Sequence, residues 1–186
     1  MQPVPSPAFR YHFRAPDSPV DGPIRFAVGR TALGAILVGR SRRGVCAILL
    51  GENAQALRDR LAVAFPEIEL QADRRSLRRE LRQVVACVEG ETSEDAVDLD
   101  IGGTDFEQNV WRALSGIPAG RTRSYGDVAQ DLGAPTAARA VAGACAANLL
   151  ALAIPCHRVV RRDGAIAGYR WGTERKRALL AREGVR

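Results

Sequence analysis

S-Y-G-D-V-A-Q-D-L-G-A-P-T-A-A-R-A-V-A-G-A-C-A-A-N, residues 124–148, carries the pattern from which the rest of the chain is read. Ser124 stands as a helix cap in front of Y-G-D-V-A-Q-D-L, where its hydroxyl can accept from a backbone N–H that the first helical turn leaves without a partner. Gly133 closes that short helix. Pro135 sits where a first helical residue tolerates proline, and it opens a second helix running to Asn148. A helix of about two turns, a turn containing glycine and a second helix give the outline of a helix-turn-helix. The second helix is almost wholly alanine and glycine, with Arg139 its one long, charged residue. Small side chains permit close approach to another surface, and composition leaves two possibilities open: burial between neighbours, or a helix lying flush on a DNA backbone.

Upstream, Thr104 with Glu107 three residues on forms a capping box, and Phe106, Val110, Trp111 and Leu114 make the apolar stripe of the helix that follows. Farther back the pattern changes. I-R-F-A-V-G-R (24–30), L-G-A-I-L-V-G-R-S (33–41) and G-V-C-A-I-L-L (44–50) are short apolar runs that predict an antiparallel meander. Residues 53–65 predict a helix with Leu57, Leu61 and Phe65 on one face. A second helix over 76–90 has Leu77, Leu81, Val84, Val85 and Val88 as its stripe. Arginines 74, 75, 78, 79 and 82 read as its solvated face rather than as a nucleic-acid face. Residues 91–96 are a polar connector, and V-D-L-D-I-G-G (97–103) is a last strand or extended link. Prolines 3, 5, 7, 16, 19 and 23 mark residues 1–23 as a tail or linker without regular pairing. The expected organisation is therefore a Pro-rich tail over 1–23, a small α/β domain over 24–101 and a helical domain over 102–186, an α/β (α+β) chain.

At 186 residues and 46% hydrophobic content the chain can bury a core. Its net charge of +6 suits an anionic partner without identifying one. Nearly all the positive charge is arginine, Lys176 being the only lysine, and nothing is inferred from that bias. The cysteines (Cys46, Cys87, Cys145, Cys156) are far apart, and the two histidines (His12, His157) lack zinc-ligand spacing, so neither metal nor cofactor is expected. Free thiols in a reducing cytoplasm are the expectation. The N-terminus has no apolar signal core, and no segment reaches the roughly 20 apolar residues of a membrane span.

Downstream, A-I-P-C-H-R-V-V (153–160) places Cys156 and His157 side by side in a run that otherwise reads as buried strand. Successive side chains diverge, to opposite faces of a strand or by about 100° on a helix, so the two cannot simply touch. A free thiol with pKa about 8.5 is a weak nucleophile unless a base or a positive field assists it. His157 is the base to hand, Pro155 constrains the bend between them, and a bound water could relay the proton. Glu183, at the end of a final helix predicted over 173–184 with Thr173 as its cap, is a candidate to orient the histidine. Residues 158–170 look like a hairpin turning at Asp163-Gly164. On these residues alone, a core cysteine and a catalytic one both stand.

I-P-C-H-R-V-V resembles the active-site motif of the O6-alkylguanine-DNA alkyltransferases. S-Y-G-D-V-A, A-A-R-A-V-A-G-A, Asn148, G-Y-R-W-G and L-L-A-R-E-G agree in order and spacing over roughly residues 24–184. G-Y-R-W-G and A-C-A-A-N look most like the methyltransferase half of the bacterial adaptive-response protein Ada. The resemblance implies an RNase-H-like α/β domain followed by a winged-helix-like DNA-binding domain, used in the minor groove. It implies repair by transfer of an alkyl group from O6 of guanine, and O4 of thymine, to the protein's own cysteine, by a monomer acting on double-stranded DNA without a cofactor. Cys156 matches the acceptor, His157 the water-mediated base, Glu183 its orienting carboxylate, and Asn148 the asparagine bracing the turn. Tyr125 matches the tyrosine that helps rotate the nucleotide and bonds guanine N3. Arg139 matches the finger that fills the stack, with Thr136 and Ala138 beside it on the DNA-binding helix. Val159, Tyr169, Arg170 and Trp171 match the base pocket.

Extrusion of the base costs a few kcal/mol, which an inserted side chain offsets in part. A helix built of small residues suits a close minor-groove approach. Ada carries an additional zinc-binding regulatory half with no counterpart before residue 24, so autoregulation is not expected of this chain. Three rival readings are a lesion-binding protein without transfer, a helix-turn-helix transcription regulator and a cysteine hydrolase of unrelated fold.

Overall fold

The computed structural model describes residues 9–91, 95–166 and 168–185. The chain divides into two compact units at Gly102/Gly103.

The first unit is built on a six-stranded sheet. Its strands are β1 (Phe9–Phe13), β2 (Ile24–Thr31), β3 (Gly34–Arg40), β4 (Val45–Gly51), β5 (Leu70–Ala72) and β6 (Val97–Ile101), in the spatial order β1-β6-β4-β3-β2-β5. β2, β3 and β4 form the expected antiparallel meander, whereas β1 and β5 join the sheet in parallel with β6 and β2. β4 is buried along its whole length, which explains its unbroken apolar run. Helices α1 (Ala54–Ala64) and α2 (Arg78–Glu89) complete the unit. Leu57 and Leu61 of α1 and Leu81, Val84 and Val88 of α2 are buried, while Phe65 and Val85 are only half-buried.

β1 corrects the expectation of an unpaired tail for residues 9–13; of the tail expected over 1–23, residues 1–8 lie outside the described residues. Between Pro7 and Pro16 lies a proline-free stretch in which Phe9, Tyr11 and Phe13 alternate, and it pairs with β6 in register from Phe9↔Val97 to Phe13↔Ile101. β5 went unforeseen because three residues carry too little periodicity.

The second unit holds α3 (Asp105–Ser115), β7 (Arg123–Ser124), α4 (Tyr125–Asp131), α5 (Ala138–Ala147), β8 (Val159–Val160) and α6 (Thr173–Arg182). The Thr104 capping box is formed: the Thr104 hydroxyl accepts from Glu107 N at 3.2 Å, and Thr104 N donates to Glu107 Oε2 at 3.0 Å. Ser124 and Asp127 make a second box at α4. Val110, Trp111 and Leu114 are buried, but Phe106, expected in that stripe, is 36% exposed. α5 starts at Ala138, three residues later than expected, because residues 135–137 form a turn in which Ala137 N donates to Ala134 O. α6 is entered through Gly172 at φ 99°, so Thr173 is its first residue and not its cap. The Asp163-Gly164 turn is present, closed by Arg161 N donating to Ala165 O at 3.0 Å. No return strand follows it among the described residues. Among the described residues no helix is long and apolar enough to cross a membrane.

Candidate active site

Asn148, Cys156 and His157 hang from the end of α5 and the segment that follows. Asn148 ends α5 and turns its amide into the bend. Its Nδ2 donates to Ile154 O at 2.9 Å and to Cys156 Sγ at 3.2 Å, while its Oδ1 accepts from Leu150 N at 2.8 Å. Cys156 N donates to Ile154 O at 2.8 Å, and Cys156–Arg158 is a single 3₁₀ turn rather than the strand read from the sequence. Proline at 155 supplies the fixed φ, here −81°, from which the turn departs. Strand structure resumes only at β8, paired in parallel with β7.

Cys156 and His157 are both buried. His157 Nε2 lies 2.9 Å from Glu183 Oε1. Because an ionised carboxylate can only accept, that contact assigns the ring proton to Nε2 and leaves the lone pair of neutral His157 on Nδ1. Nδ1 is buried without a hydrogen-bond partner among the described residues. Burial lowers the His157 pKa and outweighs the opposing pull of Glu183, which favours the neutral ring. Burial also raises the Cys156 thiol, with the Asn148 hydrogen bond and the Lys176 charge working against it. Both shifts favour the neutral forms, a thiol at Cys156 and a neutral imidazole at His157.

Glu183 caps α6 at its C-terminal end and is clamped from several sides. Arg158 Nη2 donates to its Oε1 at 2.8 Å and Arg158 Nε to its Oε2 at 3.0 Å, with Gly120 N at 3.3 Å from Oε2. Arg158 is itself held by Ile117 O at 2.6 Å. Burial alone would raise the Glu183 carboxyl, but the hydrogen bonds from His157 and Arg158 outweigh it and hold it at about 2. It is a fixed anion aimed at Nε2.

Around this core, Val159 is buried, Tyr169 meets the His157 ring edge-on at a centroid distance of 6.5 Å, and Trp171 lies at 2% exposure. The Tyr169 hydroxyl and Trp171 indole N–H are buried without hydrogen-bond partners among the described residues. Arg170 is exposed, donates to Ala146 O and stands 5.3 Å over the Trp171 ring. Tyr125 opens α4 half-buried, and burial pushes its hydroxyl up to about 12, so it remains a donor. On α5, Arg139 and the preceding Thr136 are exposed and Ala138 is half-buried. The α5 core face is Val141, Ala144 and Cys145, with Trp111 Nε1 donating to Ala144 O at 2.9 Å. Thus α5 is buried on one face and free on the other, and Arg139 stands on the free side. Among the described residues no group of His, Cys, Asp or Glu side chains is arranged to hold a metal.

The family model described as the DNA-binding domain of 6-O-methylguanine DNA methyltransferase matches residues 105–185. The regulatory protein Ada of Salmonella typhimurium is 49% identical over 160 residues, covering 86% of this chain and 45% of that protein. The bifunctional transcriptional activator/DNA repair enzyme Ada of Escherichia coli is 47% identical over the same shares. The crystal structure of Mycobacterium tuberculosis OGT in complex with DNA superposes with a TM-score of 0.69 at 34% identity, covering 86% of this chain and 92% of that one. The chain belongs to the O6-alkylguanine-DNA alkyltransferase family. It spans about half the length of the Ada proteins it matches.

Two residues packed against these side chains escaped the sequence reading. Lys176 on α6 has no exposed surface, and its Nζ donates to Val159 O at 2.6 Å. Burial lowers its pKa, while the neighbouring thiols Cys156 and Cys145 act to raise it. A buried lysine has no sequence signature. Its being the sole lysine of an arginine-rich chain was the available signal. Arg158, quoted within the motif without a role, proves to be the main clamp on Glu183.

Proposed function

We propose that this chain repairs alkylated DNA by direct reversal, moving the alkyl group from O6 of guanine, and O4 of thymine, in double-stranded DNA to Cys156. The observation that carries the reading is the hydrogen-bond chain: a buried thiol held by Asn148, next to a neutral histidine whose Nε2 is fixed on Glu183 and whose Nδ1 is left as the free base.

The lesion lies inside the duplex, so the nucleotide is extruded into the site. Arg139, on the free side of α5, fills the space it leaves. The Tyr125 hydroxyl donates to guanine N3, and Val159, Tyr169, Arg170 and Trp171 line the pocket. The Cys156 thiol proton passes to His157 Nδ1 through a bound water. Glu183 stabilises the imidazolium, and Lys176 offsets the charge growing on sulfur. Sulfur then attacks the alkyl carbon. The S–C bond forms as the C–O6 bond breaks, its electron pair goes to the guanine ring, and the proton taken by His157 is then given up to the released guanine, which restores the neutral imidazole. The sum is thiol plus O6-alkylguanine giving thioether plus guanine, with nothing further consumed. Nothing in this scheme cleaves the thioether, so each chain acts once; the acting unit in this reading is the monomer.

Incubation with a duplex carrying O6-methylguanine labelled in its methyl group tests this reading. The protein takes the label. A transcription regulator or a lesion-binding protein without transfer would retain the duplex and take none, and that result would overturn the proposal.

A further inference from the structure

The first unit carries a concave arginine surface that the transfer chemistry does not use. Arg30 of β2 joins Arg74, Arg75, Arg78 and Arg82, at and along α2, around a cavity of about 640 Å³ floored by Leu81 and Val85. All five arginines are exposed. No acidic side chain lines the cavity among the described residues.

Several other arginines of the unit face carboxylates: Arg40 with Glu80 at 2.5 Å, Arg79 with Asp95 at 3.3 Å and Arg10 with Asp98 at 3.4 Å. The acids of α2 are turned away from the cavity, Glu80 toward Arg40 and Glu89 toward Ala32 N at 2.7 Å. Arg74 gives one N–H to Val28 O at 2.9 Å. Arg30, Arg75, Arg78 and Arg82 have no carboxylate partner among the described residues. The sequence of α2 alone shows a solvated arginine face. The fold adds Arg30 from a strand remote in sequence and makes the face concave.

Like charges gathered around one hollow repel, and a polyanion relieves that repulsion while releasing its own counterions. Guanidinium forks match phosphate oxygens in pairs. We propose that this face of the first unit binds the sugar–phosphate backbone of DNA, as a contact surface additional to the helix-turn-helix. The identity of the polyanion as DNA rests on the alkyltransferase reading.

The test compares the full chain with a variant carrying Arg→Gln at 30, 75, 78 and 82, measuring affinity for an undamaged duplex across a series of KCl concentrations. Each phosphate contact contributes about 0.9 to the slope of log affinity against log salt, so losing three or four flattens it by about 3. Transfer from free O6-benzylguanine should equal that of the unaltered chain. An unchanged slope with intact transfer overturns the proposal. Absence of transfer in the unaltered chain would instead sink the alkyltransferase reading, and the slopes would still report on the surface. Should the fourfold variant fail to fold by circular dichroism, Arg78→Gln and Arg82→Gln singly should each flatten the slope by about 1, and no flattening overturns the proposal equally.

Discussion

Glu183→Gln separates the two things the carboxylate does. It keeps the shape but removes the charge facing His157 and Arg158, and it puts an amide N–H2 in place of one of the two accepting oxygens, as protonation of the carboxylate also removes an acceptor. A carboxyl held at about 2 against an ordinary 4.5 corresponds to about 3 kcal/mol of folding free energy at neutral pH. Solvent reaching its exposed edge brings that to about 2 kcal/mol. The folded pKa is depressed, so this stabilisation is fully present above 4.5 and is lost as pH falls toward 2. Urea unfolding should therefore show the variant less stable by about 2 kcal/mol at pH 7, with the difference shrinking between pH 4.5 and 2. His157 acts in the same sense in both proteins, because its lowered pKa makes the unfolded chain bind a proton first below its ordinary 6.5. Alkyl transfer should slow by about 100-fold or more, the usual contribution of an oriented general base. Because the defect lies in proton transfer, it should be equal on duplex DNA and on free O6-benzylguanine. A variant that transfers at the normal rate would refute the assignment of Glu183 to the imidazolium. A stability difference that persisted at pH 2 would refute the charge argument.

Arg139→Ala should leave stability within about 0.5 kcal/mol, since the side chain is exposed, yet slow transfer from duplex DNA severely while sparing the free base. Equal loss on both substrates would mean that Arg139 supports the active site itself. Gly120 stands at φ 78°, and a Cβ there would meet Glu183 O at 2.9 Å, so Gly120→Ala should cost about 1–3 kcal/mol in urea unfolding and slow transfer together. Lys176→Met retains the buried stem but removes the charge near Cys156. Single-turnover kinetics should slow by about tenfold or more, for a stability change under about 3 kcal/mol caused mainly by the orphaned Val159 carbonyl.

Much of this was legible because it is local. The Thr104 box, the Ser124 cap and the meander announce themselves within a few residues, through hydroxyl-to-carboxylate spacing and apolar alternation. Cys156, His157 and Glu183 could be put forward as site candidates because their chemistry is rare, and the resemblance adds Asn148, Tyr125 and Arg139 as further candidates. What escaped depends on distant partners. β1 is a strand because β6 offers it an edge, and the prolines around it dominated the reading. The 3₁₀ turn at Cys156 is enforced by Asn148 bonding across it, against an apolar sequence that favours a strand. Pro135 permits a helix start, but the turn at 134–137 takes it first. Lys176 is tolerated in the core because a carbonyl of β8 awaits it. Arg30 belongs with the α2 arginines only once the sheet has brought β2 beside them.

The most direct measurement takes the protein to completion with excess duplex substrate bearing labelled O6-methylguanine, then maps the label by peptide mass. The expected result is a plateau at one methyl group per chain, carried on Cys156. Sustained turnover beyond that plateau, or a methyl found on Cys46, Cys87 or Cys145, would contradict the account.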